Sequence, residues 1–359
     1  MSTDRTDSFE ERLRYLNSAD RGPFHVARKV FKKGFALVRA PSDPRSPVYI
    51  FDNDSSYTRG RSMARVLSRC GALPEARWFV VNLRDLPQVK PPKFGLPLFG
   101  SACADGYCDI EAPDYTFGGW REIGGHDFDS TCREISQAGE SKSITDKLGW
   151  YGAVWSHPNR ARLLEIGRQF PDRMEIVDLQ YFGRAGVRAA PGVGLTMKEQ
   201  VERFQYLIDV EGIGYSGRLK YLLHSGRPIL IQDRPWREWY FSQLQPWTHF
   251  APVRRDLADL PFVLDRLDAD PALRARIGEA SRAFAAKHLT AAAATAKWTA
   301  LLSGEDEACP WRKAWAKDER GKASSSGREA PVAAKSVSRC ANASERGDYG
   351  EFDAAPPLA

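Results

Sequence analysis

Short apolar runs bounded by turn residues alternate with helically spaced ones along most of the chain, and that alternation predicts an α/β protein. Val48–Phe51 reads as a strand, and Ser62–Leu73 as a helix with Met63, Val66 and Leu67 on one face. Arg77–Val81 is a second strand, rich in β-formers. Strand, helix, strand is the pattern of a parallel sheet. Residues 87–130 are loop-rich, with Pro87, Pro91, Pro92, Pro97 and Pro113. A second series begins near Leu148. Strands are expected at 149–155, 174–179, 206–210, 228–232 and 249–253. Helices are expected at 159–169, capped by Asn159, and at 197–203, 218–224 and 236–244, followed by three more at 256–267, 271–287 and 290–302. The result is two Rossmann-like domains with a helical C-terminal end.

Length and composition sharpen this reading. At roughly 100–200 residues per domain, 359 residues suit two domains and a tail. The expected division is a polar lead-in over 1–22, one domain over 23–146, another over 147–303, and a disordered tail over 304–359. In the tail Ser324–Gly327 and Pro356-Pro357 cannot bury a core. Net charge is +6, but Lys and Arg are spread along the chain rather than gathered in a stripe. That argues against nucleic acid and for a surface biased toward small anions. No run of about 18 apolar residues is present, so no membrane span is expected. The first twenty residues are polar, with Asp4, Asp7, Glu10 and Glu11 and no apolar leader. The six cysteines form no Cys-x-x-Cys pair, so zinc is not expected; Cys103 and Cys108 either pair or stay free.

Four segments carry chemistry. Glu211-Gly-Ile-Gly-Tyr-Ser-Gly-Arg218 follows a strand and opens a helix. Gly212 admits a ligand to the backbone, Ser216 offers a hydroxyl, and Arg218 matches a pyrophosphate through parallel N–H groups. The same residues also suit an ordinary glycine turn with a surface arginine. Asp85, in Asn82-Leu-Arg-Asp-Leu-Pro-Gln88, lies beyond a strand's carboxyl end, where a general base toward a hydroxyl belongs; a loop ion pair with Arg84 is the alternative. In Trp150–Arg160, Gly152 allows close approach while Ser156 and Arg160 suit phosphate oxygens, and His157 is a weaker candidate. In Asp233–Tyr240, a carboxylate such as Glu238 suits ribose hydroxyls, and the aromatics suit a core. Asp52-Asn-Asp54 follows a strand and resembles a divalent-metal site. Asp268-Ala-Asp270 precedes Pro271 and reads as a helix cap.

In this order the motifs resemble glycosyltransferase family 90. The strongest block runs from Tyr206 to Val253: Gly-x-x-x-Ser-x-Arg, then Trp-x-Glu, then Gln-Leu-x-Pro-Trp-x-His-Phe-x-Pro-Val. Asn82-x-Arg-Asp-x-Pro-Gln88 and Asp109-Ile-x-x-Pro-Asp-Tyr-x-Phe117 add to it, and the likeness covers roughly residues 45–302. It implies a GT-B arrangement, with two Rossmann-like domains facing across a cleft. It also implies inverting, metal-independent transfer of glucose or xylose from UDP-glucose or UDP-xylose to a hydroxyl of a protein or polysaccharide. No cofactor is then expected. Asp85 would be the base, and Gly212, Ser216 and Arg218, helped by Ser156 and Arg160, would hold the diphosphate. Tyr151 stands where many members have Arg, Glu211 where the animal enzymes have Arg, and Gly217 where a larger residue is usual. Two other expectations stay in play, the first because of Tyr151 and Gly217 and the second because of the Asp52-Asn-Asp54 triplet. One is a catalytically inactive sugar-nucleotide or glycan binder; the other is a metal-dependent transferase using Asp52 and Asp54. Eukaryotic relatives work in the secretory pathway. The polar N-terminus instead suggests a cytoplasmic member or a chain lacking its first exon.

Overall fold

The computed structural model describes residues 35–40, 57–70, 77–87, 98–107, 109–120, 125, 127–179, 194–303 and 305–306. The expected strand at 48–51, Asp52, Asp54, Gln88, Cys108 and nearly all of the tail lie outside them. The chain forms two compact units, one of residues 1–60, 67–112 and 296–359, the other of residues 61–66 and 113–295.

The first unit holds a four-stranded sheet, in the order β1 (Phe35–Ala40), β2 (Arg77–Asn82), β3 (Leu98–Gly100), β4 (Ile110–Glu111). β1 runs antiparallel to β2, with Phe35 opposite Asn82, and the other pairs are parallel. The sequence pattern did not predict β1. Helix α1 (Tyr57–Leu67) starts and ends earlier than its apolar spacing suggested. Phe79 and Phe99 are buried with ring centroids 5.5 Å apart, and Trp298 closes on Phe99 at 5.1 Å. Edge-on aromatic packing of this kind anchors a small sheet.

The second unit is built on a five-stranded, wholly parallel sheet: β5 (Thr145–Gly152), β6 (Met174–Asp178), β7 (Phe204–Asp209), β8 (Ile229–Gln232) and β9 (Ala251–Val253). Its spatial order is β6-β5-β7-β8-β9. Strands buried on both faces read as continuous apolar runs, and Tyr206-Leu-Ile and Ile229-Leu-Ile are of that kind. Helices α2 (Phe128–Glu140), α3 (Pro158–Gln169), α4 (Met197–Arg203), α5 (Leu219–Leu222), α6 (Leu260–Ala269), α7 (Pro271–His288) and α8 (Ala291–Ser303) complete the chain. Leu148, Trp150, Leu163, Ile208, Leu230, Val253, Leu264 and Ile277 share one apolar core.

Helix ends follow local chemistry. Thr196 and Glu199 form a reciprocal capping box on α4, with N···O distances of 2.7 and 3.2 Å. Asp270 caps α7 through Leu273 N at 2.8 Å, as its place before Pro271 predicts. Several expectations need correction. The strand expected at 149–155 is β5, which ends at Gly152 before the 3-10 turn Val154–Ser156, and the helix expected at 256–267 is α6, which starts at Leu260. The cap of α3 is His157, whose Nδ1 accepts from Asn159 N at 3.2 Å. Residues 236–244 form no α-helix; only the 3-10 turn Phe241–Gln243 is present. Arg234 and Glu238 are both buried with charged partners on other elements, and those ties hold this segment in an irregular path. The α/β class, with parallel sheets and helices, is as the sequence predicts.

Candidate functional site

In an open parallel sheet, ligands bind beyond the carboxyl ends of the strands, where the strand order reverses. In the second unit the chain passes from β5 outward to β6, then returns to β7 and proceeds to β8 and β9. The reversal therefore falls between β5 and β7. Residues 153–160 follow β5, and the loop 211–217 follows β7.

Trp150 is fully buried in β5, and two guanidinium groups flank its ring. Arg160 lies 5.4 Å from the centroid and Arg218 lies 5.5 Å. Arg160 is committed to the backbone: Nε donates to the Glu211 carbonyl at 2.9 Å, Nη1 to that of Ala153 at 3.2 Å, and Nη2 to that of Val210 at 3.5 Å. It thus braces the two loops against each other. Arg218 uses Nη1 on the Tyr151 carbonyl at 2.7 Å, while its Nη2 is shut off from solvent and meets no acceptor among the described residues. Burial pulls the Arg218 pKa below its usual value. Asp209 opposes that pull, and the nearby Arg234 adds to it. A buried, half-used guanidinium at a sheet's switch point is a ready partner for an anion.

The glycines have packing reasons as well. A Cβ on Gly152 would come within 2.5 Å of the Trp150 ring, and one on Gly212 within 2.9 Å of Arg160 Nη2. Both make room for the side chains that set the arginines. Gly217 lies under Trp120, where a Cβ would meet the ring at 3.1 Å. The Ser216 hydroxyl is buried and donates to Asp209 Oδ1 at 2.5 Å, while Asp209 Oδ2 pairs with Arg234 Nη2 at 2.7 Å. Ser156 is half-buried and donates to the Ala153 carbonyl at 2.9 Å. Tyr151 points its hydroxyl to Glu175 Oε1 at 2.5 Å, and burial and that carboxylate push its pKa up to about 12.

Glu238 does not present an open carboxylate. It is buried beside Lys220, with Nζ to Oε1 at 3.0 Å, and Lys220 also pairs with Asp114 at 3.0 Å. Burial raises the Glu238 pKa to about 7 despite the ammonium. Burial alone would lower the Lys220 pKa, but Asp114 and Glu238 outweigh it, and the pKa lies above the ordinary lysine value. Tyr215 donates to the same Asp114 at 2.7 Å. Sequence reasoning missed Asp209, Lys220, Arg234 and Asp114. The available signal was a charged residue inside or beside an apolar run, as in Tyr206-Leu-Ile-Asp209.

Asp85 belongs to the first unit, in the turn after β2. Arg59 Nη1 donates to its Oδ1 at 2.8 Å and to the Leu83 carbonyl at the same distance. Its ion-pair partner is thus Arg59. Buried Asn82 shapes the turn, donating to the Leu86 carbonyl at 2.8 Å and to Asp109 Oδ1 at 3.0 Å, and accepting from Arg84 N at 3.0 Å. The carboxylate is half-buried and oriented.

The model of Glycosyl transferase family 90 matches residues 61–305. Protein O-glucosyltransferase 1 of Homo sapiens is 28% identical over 258 residues, which cover 66% of this chain and 64% of that protein. O-glucosyltransferase rumi of Drosophila melanogaster is 26% identical over 244 residues, 62% of this chain and 58% of that protein. The chain thus spans less than two thirds of the length of these relatives. Among solved structures, Anabaena HepE in complex with UDP overlaps with a TM-score of 0.31 at 9% identity, covering 48% of this chain and 44% of that one. Sucrose-phosphate synthase of Thermosynechococcus elongatus overlaps with a TM-score of 0.30 at 12% identity, covering 52% and 42%. Overlaps of this size carry no functional weight. Among the described residues, no helix is long and apolar enough to cross a membrane.

Proposed function

The chain belongs to glycosyltransferase family 90, and from that premise we propose that it transfers glucose or xylose from a UDP-sugar to a hydroxyl of a protein or polysaccharide, with inversion and without a metal ion. The observation that carries the reading is Arg218. Its open, buried Nη2 lies at the switch point of the parallel sheet, where a diphosphate is expected.

In the proposed reaction the acceptor oxygen attacks the anomeric carbon as the bond to the UDP oxygen breaks. Asp85 takes the acceptor proton. Charge develops on the departing diphosphate, and Arg218 stabilises it, held in place by the Tyr151 carbonyl and the Trp150 ring. Arg160 fixes the loop beneath it. Guanidinium charge does the work that a divalent ion does in metal-dependent transferases. Both relatives are named O-glucosyltransferases, which supports glucose, and the human one is named a protein O-glucosyltransferase, which supports a protein acceptor.

The test is transfer or donor hydrolysis with UDP-glucose and UDP-xylose, with and without a chelator. Turnover that survives the chelator supports the reading, and turnover that vanishes with it favours a metal. Binding without any turnover identifies an inactive member. Asp85→Asn should still bind UDP while losing transfer. Undiminished transfer by that variant removes Asp85 as the base.

A further inference from the structure

Diphosphate binding leaves a carboxylate beside this site unexplained. Glu211 follows β7 and is 0% exposed. Its Oε1 accepts from Asn159 Nδ2 at 2.9 Å, with His157 Nε2 and Arg255 Nε each at 3.6 Å. Its Oε2 is closed to solvent and meets no donor among the described residues. A buried carboxylate oxygen without a donor is costly, and a ligand hydroxyl bonded to it would remove that cost. The Glu211 backbone carbonyl accepts from Arg160 Nε, and Arg160 shares the Trp150 ring with Arg218. Through its backbone Glu211 is thus tied to the arginine pair of the proposed diphosphate grip, and its carboxylate extends from that point toward Asn159, His157 and Arg255. An anion in that place repels a diphosphate unless a hydroxyl lies between them. A nucleotide's ribose carries two such hydroxyls, and dinucleotide-binding sheets use a carboxylate to accept from one. Glu238, the carboxylate that sequence pattern put forward for this task, belongs instead with Lys220 and Asp114, its Oε1 3.0 Å from Lys220 Nζ.

We infer that Glu211 Oε2 accepts a hydrogen bond from a ribose hydroxyl of the donor nucleotide, making Glu211 the residue that selects a ribonucleotide. The inference rests on the UDP-sugar reading. The experiment is calorimetric titration of the full chain and of Glu211→Gln with UDP, 2′-deoxy-UDP, 3′-deoxy-UDP and UDP-glucose. Melting temperatures without ligand confirm that the variant folds.

A hydrogen bond to a charged group is worth about ten-fold or more in affinity, so the wild type should prefer UDP over one deoxy analogue by at least that factor. In Glu211→Gln the preference should shrink to about three-fold or less, since a neutral partner gives a weaker bond. Equal affinity of the wild type for UDP and both deoxy analogues overturns the inference without any variant. So does a preference that is unchanged in Glu211→Gln. A variant that loses affinity for UDP-glucose but not for UDP assigns the carboxylate to the transferred sugar instead. Absence of UDP binding by the wild type overturns the donor reading itself, and the role of Glu211 with it.

Discussion

Replacing Arg218 by lysine tests the grip on the donor most directly. In the wild type, Nη1 is spent on the Tyr151 carbonyl at 2.7 Å, and Nη2 remains for a ligand. Lysine has a single nitrogen on a thinner stem. It keeps the positive charge but cannot hold the carbonyl and present a second, fixed donor with the same geometry. The loss is one charge-assisted hydrogen bond to phosphate, about 1.5–3 kcal/mol. At tenfold per 1.4 kcal/mol, that is a weakening of UDP binding by about 10- to 150-fold. Lysine can still reach the Tyr151 carbonyl, so the melting temperature of the free protein should change little. Titration calorimetry gives the affinity and differential scanning fluorimetry the stability. UMP supplies an internal control, because a ligand with one phosphate should lose less than UDP. If Arg218→Lys binds UDP as tightly as the wild type, the open nitrogen does not face the diphosphate and the assignment fails.

Other expectations concern the buried charges and close contacts. Lys220→Met should leave Asp114 and Glu238 buried without their shared cation, a loss of about 3–5 kcal/mol that a urea midpoint would register. Glu238 has a folded pKa of about 7, above that of an unfolded glutamate, so the folded state holds the extra proton between about pH 4.5 and 7. Its contribution to stability is therefore greatest at the acid end and is lost as pH rises through that window. Glu238→Gln should flatten this part of the stability–pH curve, and an unchanged slope would count against it. Gly139→Ala would place a methyl carbon 1.6 Å from the Ser225 carbonyl oxygen, so α2 must shift, and the melting temperature should fall by several degrees; an unaltered melt would contradict that close packing.

The inner strands β7 and β8 were legible because they are buried along nearly their whole length and read as apolar runs between turns. The capping box at Thr196 and the cap at Asp270 were equally readable, since each depends only on near neighbours. Features decided by distant partners were not. His157 caps α3 while its other nitrogen faces Glu211, far away in sequence. The segment after Pro235 has helical spacing, yet Arg234 and Glu238 are tied to Asp209 and Lys220 on other elements. Gly152 and Gly212 resemble ligand-approach glycines in sequence, and only the folded chain reveals the indole and guanidinium that need the room. The pairing of Asp85 with Arg59, rather than with its neighbour Arg84, depends on α1 reaching the turn after β2.

The indole of β5 also makes its two cationic neighbours interdependent. Each guanidinium is steadied by the same π system, so altering one changes the space that the other experiences. Substitutions at 160 and 218 should therefore combine non-additively.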